Sequence, residues 1–211
     1  MRKYKKLVIS PHIDDEVLGC GGILDKETFV IYCGMDESHI NQSWVKERPS
    51  ENIRIQELKD VVNLTKHRYI ILENKVNFYE IQKLLNSIEK ILNEIKPDEV
   101  YIPHPSYNQD HRVAYESTLT ALRPHDLNHF VKRIFVYEQP HMLFWDDEDF
   151  QPNYFVPIDI ERKIKLYEIM KTQVRKFRSS DHIRAISKIR GGQSNCDYAE
   201  AYKILRWVNE K

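Results

Sequence analysis

The 211-residue sequence predicts an α/β layered fold with a mainly parallel sheet. Two observations carry this. Five short apolar runs, rich in β-branched and aromatic residues, have the composition of strands covered on both faces. Helical patterns separate those runs, and strands alternating with helices are the signature of a parallel sheet. The length suits one sizeable domain, so residues 1–211 are expected to form a single unit.

The elements follow in order. Residues 7–10 (LVIS) read as the first strand, 28–33 (TFVIYC) as the second and 69–72 (YIIL) as the third. Residues 99–103 (EVYIP) and 132–138 (KRIFVYE) read as the fourth and fifth. Ile81, Leu84, Leu85, Ile88, Ile91, Leu92 and Ile95 recur at three- and four-residue steps, one apolar stripe on a helix that Pro97 ends. Further helices are expected over residues 50–64, 112–122, 160–177 and 197–208. Residues 140–157 are aromatic, acidic and poor in periodicity, and read as a long structured loop. Residues 179–195, which include RGGQSN, read as irregular and suited to a mobile lid.

Composition excludes several classes. Lysine plus arginine total 32 and aspartate plus glutamate total 32, so the formal net charge is zero. That argues against a nucleic-acid binder acting through a general positive field. No apolar run approaches the roughly 20 residues of a spanning helix. The apolar run behind the basic start is too short for a signal peptide. Cys20, Cys33 and Cys196 have no metal-type spacing and read as free thiols of a reducing compartment. The expectation is a soluble cytoplasmic protein.

In such folds ligands bind beyond the carboxyl ends of the strands. The stretch SPHIDDEVLGCGG follows the first strand, and residues 104–111 follow the fourth, so both polar clusters fall on one sheet edge. His12 and Asp15, three residues apart in a turn entering a helix, can face the same side. His111 supplies a third ligand from the other loop. Two histidines and a carboxylate leave a position open, the pattern of a catalytic zinc site; Fe²⁺ accepts the same donors. Asp14, outside the ligand set, suits the base that takes a proton from an activated water. Each cluster alone has a plainer reading. Asp14 or Asp15 would serve as a helix N-cap, and NQDHR as a cap with a charged first turn. Their coincidence at one edge favours the metal. Gly19, Gly21 and Gly22 let the helix approach the sheet closely.

These motifs carry a resemblance. PHIDDE resembles the Pro-His-Pro-Asp-Asp-Glu signature of the LmbE-like, or PIG-L-like, zinc-dependent N-acetylglucosamine deacetylases, and NQDHR resembles that family's His-x-Asp-His signature. RIQE (residues 54–57), FVPIDIERKIKLYEIMKTQ and YAEAY are similar to further family segments, so the likeness spans nearly the whole chain. It implies a Rossmann-like fold, His12, Asp15 and His111 as zinc ligands, and Asp14 as general base. The implied reaction is hydrolysis of the N-acyl group of an amino-sugar conjugate. It also suggests a trimer or hexamer.

Ile13 stands where the family has proline, and Asn108 where it has the first histidine of its second signature. Asparagine can donate a hydrogen bond to an oxyanion but delivers no proton. Either Asp14 shuttles the proton itself, or another group does so, with His104, His141 and His182 as candidates. Asp110 would fix the tautomer of His111 or cap its helix. Arg54 contacts substrate, by resemblance, or pairs with Glu51 or Glu57. Tyr107, His141 and Trp145 stack on a sugar ring or pack the loop. Two other classes stay open: a non-catalytic carbohydrate-binding relative, suggested by Asn108, and a two-metal phosphoesterase, for which no second carboxylate set is evident.

Overall fold

The computed structural model describes residues 4–35, 37, 50–140 and 150–209. The elements run β1 (Lys6–Ser10), α1 (Asp15–Cys20), β2 (Thr28–Tyr32), α2 (Glu51–Thr65), β3 (Arg68–Ile71), α3 (Ile81–Ile95), β4 (Glu99–Pro103) and α4 (Gln109–Ala121). They continue with β5 (Arg133–Tyr137), β6 (Tyr154–Pro157), α5 (Ile160–Ile169), α6 (Ser180–Gln193) and β7 (Ala199–Trp207). The strands form one seven-stranded sheet in the order β3-β2-β1-β4-β5-β7-β6. From β3 to β5 every pairing is parallel, and β7 lies antiparallel to both β5 and β6.

This order creates the site. From β1 the chain proceeds outward to β2 and β3, then returns to place β4 on the other side of β1. The strand order reverses between β1 and β4, and a crevice opens at their carboxyl ends. Alternation along β1 sends Val8 to one core and Leu7 and Ile9 to the other. The first core joins the sheet to α1, α2, α5 and α6 through Val17, Leu58, Val61, Ile164 and Ile183. The second packs the α3 stripe and Ala114 of α4 against the opposite face. Helices cover both faces, as the continuous apolar strands require.

The structure corrects the sequence at its C-terminal third. Residues 197–208, expected as a helix, contain β7. Ala, Glu, Lys and Leu favour helix, yet Ala199–Tyr202 are all buried and pair with β6, and from Tyr202 onward the segment pairs with β5, so a strand satisfies its backbone bonds. Tertiary context overrides the local preference. The pairing with β5 shifts register between Ile134 and Phe135, a bulge that leaves Leu205 exposed.

The segment read as an irregular lid contains α6. Ser179 caps it by accepting from His182 N–H, and Ile183, Ile186, Ser187, Arg190 and Gly191 bury one helical face. Within the expected loop over 140–157, residues 154–157 form β6; residues 141–149 lie outside the described part. Helix α5 stops at Ile169, eight residues before its expected end at 177. Beyond it Glu57 of α2 captures Thr172, accepting from its N–H (2.9 Å) and its hydroxyl (2.5 Å). Gly19 passes so close to Tyr137 that an added Cβ would overlap the ring.

Buried His67 sits between α2 and β3, with Thr65 Oγ1 2.7 Å from Nδ1 and the Tyr32 hydroxyl 3.4 Å from Nε2. Burial lowers its pKa from 6.5 to about 4. The folded state therefore disfavours the proton that the unfolded chain takes up, and stability rises with pH across this window. The contribution is full above pH 6.5 and is lost as the pH falls toward 4, a change of about 3 kcal/mol. Urea unfolding at stepped pH should show this slope, and His67→Phe should flatten it relative to the parent.

Candidate metal centre and active site

The turn between β1 and α1 is built from its own side chains. Ser10 Oγ donates to the His12 carbonyl (2.6 Å) and accepts from Glu16 N–H (3.1 Å). Glu16 Oε2 accepts from Asp14 N–H (3.1 Å). The Asp14 carbonyl accepts from Val17 and Leu18 N–H. These bonds hold Asp14 at φ 138°, ψ −27°, backbone that non-glycine residues adopt only under constraint. Its side chain makes no cap bond to α1 and instead meets Arg178 Nη1 at 2.9 Å.

His12, Asp15 and His111 converge. Asp15 Oδ2 accepts from the His12 backbone N–H (3.0 Å) and lies 3.4 Å from His12 Nδ1 and 3.2 Å from His111 Nε2. One ligand atom from each residue lies within 4.8 Å of the other two. His12 Nε2 is engaged by Asp110 Oδ2 at 2.9 Å, which leaves Nδ1, beside Asp15, as the nitrogen for a cation. Asp110 therefore supports His12 and not His111. Asp110 and His111 are consecutive on α4 and point about 100° apart, so the carboxylate reaches across to the first loop. The same oxygen accepts from Asn77 N–H (2.7 Å), which ties the β3–α3 connection to the site.

Charge at this cluster is concentrated and largely buried. Burial alone would lower the His12 pKa, but hydrogen bonds to Asp110 and Asp15 outweigh it and raise it to about 10. Burial alone would raise the Asp15 pKa, yet His111 and His12 hold it well below the usual carboxylate range. Asp14 is raised by burial, with Arg178 as the main opposing charge. Glu16 is raised to about 8 by burial and by the neighbouring Asp14. Two imidazoles and a carboxylate around an acidic pocket fit a divalent ion.

The remaining candidates divide. Asn108 is the N-cap of α4, its Oδ1 accepting from Asp110 N–H (2.8 Å). The cap reading of NQDHR and the ligand reading thus hold together, and α4 starts at Gln109 because of that cap. Tyr107 beside it is half exposed. Arg54 is buried and pairs with Glu37 (2.6 Å), not with Glu51 or Glu57. His104 packs edge-on against Phe150, and His182 Nε2 lies 3.3 Å from the Pro140 carbonyl. His141 and Trp145 lie outside the described residues.

Sequence reasoning missed two groups. Arg178 lies far along the chain in KFRSS, where no spacing relates it to Asp14. The second is a buried network behind α1. Lys163 Nζ donates to the Leu18 carbonyl and to Glu200 Oε1 (2.7 Å each), which also accepts from Gly22 N–H (2.8 Å). Tyr202 donates to the other Glu200 oxygen (2.7 Å). Lys163 belongs to the lysine-rich helix and Glu200 to YAEAY, the two C-terminal segments that carried the resemblance; their contact was not visible from spacing.

Fold and site together define a doubly wound α/β protein with a His-Asp-His cluster, suited to one divalent metal, at the switch point of its sheet. The family model "PIG-L: GlcNAc-PI de-N-acetylase" matches residues 7–122, more than half of the chain, and the chain belongs to that family. Among curated proteins none matches the sequence at a significant level.

Solved structures share the fold. An N,N'-diacetylchitobiose deacetylase from Pyrococcus horikoshii matches with TM-score 0.75 and 22% identity, over 96% of this chain and 84% of that one. A deacetylase of teicoplanin biosynthesis, solved with teicoplanin, matches with TM-score 0.74 and 15% identity, over 97% and 100%. GalB, the 4-carboxy-2-hydroxymuconate hydratase from Pseudomonas putida KT2440, also matches, with TM-score 0.75 and 17% identity, over 99% of each chain. One backbone thus carries deacetylases and a hydratase, so the activity must be argued from the site. No helix among the described residues is long and apolar enough to cross a membrane.

Proposed function

We propose that the protein is a metal-dependent N-deacetylase acting on an N-acetylglucosamine-type sugar or conjugate. The observation that carries this reading is the convergence of His12, Asp15 and His111 with Asp14 beside them. The family description and the deacetylase neighbours support the substrate class. His12 through Nδ1, Asp15 and His111 through Nε2 would hold the ion; zinc suits this donor set, and Fe²⁺ is the alternative. Once bound, the ion would supply Lewis-acid polarisation of the amide carbonyl and would acidify the attacking water.

The chain does the rest. Asp14 receives the proton of the attacking water, and burial raises its pKa toward the working range of a general base. Asp110 holds His12 in one tautomer by engaging Nε2. Tyr107, half exposed, and Arg54, as the family resemblance implies, would serve as substrate contacts. The water oxygen forms the new bond to the carbonyl carbon as the amide breaks at C–N, and the proton held by Asp14 passes to the leaving nitrogen, giving acetate and a free amine.

The test is release of acetate and amine from N-acetylglucosamine, N,N'-diacetylchitobiose and their conjugates by zinc-loaded protein. Sugar binding without acetate would instead indicate a binding relative, and phosphate release from phosphoesters a phosphoesterase. His12→Ala should abolish stoichiometric zinc binding while leaving the circular dichroism of the fold intact. Unchanged zinc content in that variant would place the metal elsewhere.

A further inference from the structure

We infer that Arg178 is a positioning residue for Asp14, and that α2 holds it in place across the irregular segment after α5. This rests on Asp14 being the base, and it concerns how that carboxylate is aimed. Asp14 stands at the N-cap position of α1 without using its side chain as a cap. Glu16 and the first turn of α1 fix its main chain, but those bonds do not set the direction of the carboxylate. Arg178 Nη1 meets Oδ2 at 2.9 Å, in a pair that is almost wholly buried on both sides.

The guanidinium is itself constrained. Its Nη2 reaches Gln173 Oε1 (3.3 Å), and its carbon sits 5.7 Å from the Phe177 ring centroid. The main chain of Arg178 donates to the Arg175 carbonyl (3.1 Å) and accepts from the Tyr167 hydroxyl (2.7 Å). The start of the segment is pinned where Glu57 takes both donors of Thr172. A line of contacts therefore runs from Glu57 through Thr172, Gln173 and Arg178 to Asp14. It gives the glutamate of RIQE a task separate from substrate contact: it fixes the turn that carries the arginine. A general base misdirected by about 1 Å loses roughly 10²-fold in rate, so a buried guanidinium that meets the carboxylate through Nη1 while Nη2 is held by Gln173 is a direct way to limit its rotation.

The experiment compares wild type, Arg178→Met, Arg178→Lys and Thr172→Val for zinc content, kcat and KM with N,N'-diacetylchitobiose, together with a crystal structure of each. Arg178→Met should retain zinc and KM and lose roughly 10²-fold in kcat, with Asp14 rotated in the crystal. Arg178→Lys should recover part of the loss, since it restores charge without the planar group that Gln173 holds. Thr172→Val, remote from the metal, should lower kcat by a smaller factor with KM unchanged. If Arg178→Met does not fold, the lysine and valine variants decide on the same readouts. An unmoved Asp14 with kcat within threefold of wild type would overturn the inference and leave Arg178 as an anchor of the turn. Absence of acetate from wild type would contradict the deacetylase reading alone, and the position of Asp14 in the crystals would then decide the role of Arg178.

Discussion

Asp14→Asn is expected to retain stoichiometric zinc and to lose about 10²- to 10⁴-fold in kcat, the usual contribution of a positioned general base. The atoms that converge come from His12, Asp15 and His111, so metal binding there should not depend on Asp14. The substitution is nearly isosteric, and asparagine tolerates positive φ better than most residues, so the strained turn at φ 138° should survive. The amide cannot take up the proton of the attacking water. Metal analysis beside acetate release checks both halves, and normal turnover in this variant would remove Asp14 from the mechanism.

Lys163→Met should destabilise the fold by about 3–5 kcal/mol, because it leaves the Glu200 carboxylate buried beside Gly22 N–H and the Tyr202 hydroxyl without its cation. For a chain of this length that corresponds to a fall in Tm of roughly 6–20 °C. The double variant Lys163→Met/Glu200→Gln should recover much of the loss, since no charge then remains uncompensated. Differential scanning calorimetry of the three proteins measures this directly. A single variant within about 1 kcal/mol of wild type would mean that the network contributes no more than a surface pair.

The difference between what the sequence discloses and what it hides has a physical basis. The α3 stripe from Ile81 to Ile95 and the strand Glu99–Pro103 were legible to the residue, because each has one strong periodicity and a proline or turn at its end. His12, Asp15 and His111 were legible because strand order places two short loops on one edge, a matter of topology. Ala199–Trp207 was not, since its composition favours helix and only the gap between β5 and β6 makes it a strand. The face of α6 was present in the spacing of Ile183, Ile186 and Arg190, but RGG and the polar surroundings obscured it. The Asp14–Arg178 pair spans most of the chain, and no local pattern encodes it.

Two loops of the sheet edge are proposed to build one metal centre. Its most direct test is anomalous scattering at the zinc absorption edge from crystals of the zinc-loaded protein. One peak bound by His12 Nδ1, Asp15 and His111 Nε2, with Asp14 near but not bonded, is the predicted result. A peak ligated by other residues, or none at this cluster, would contradict it.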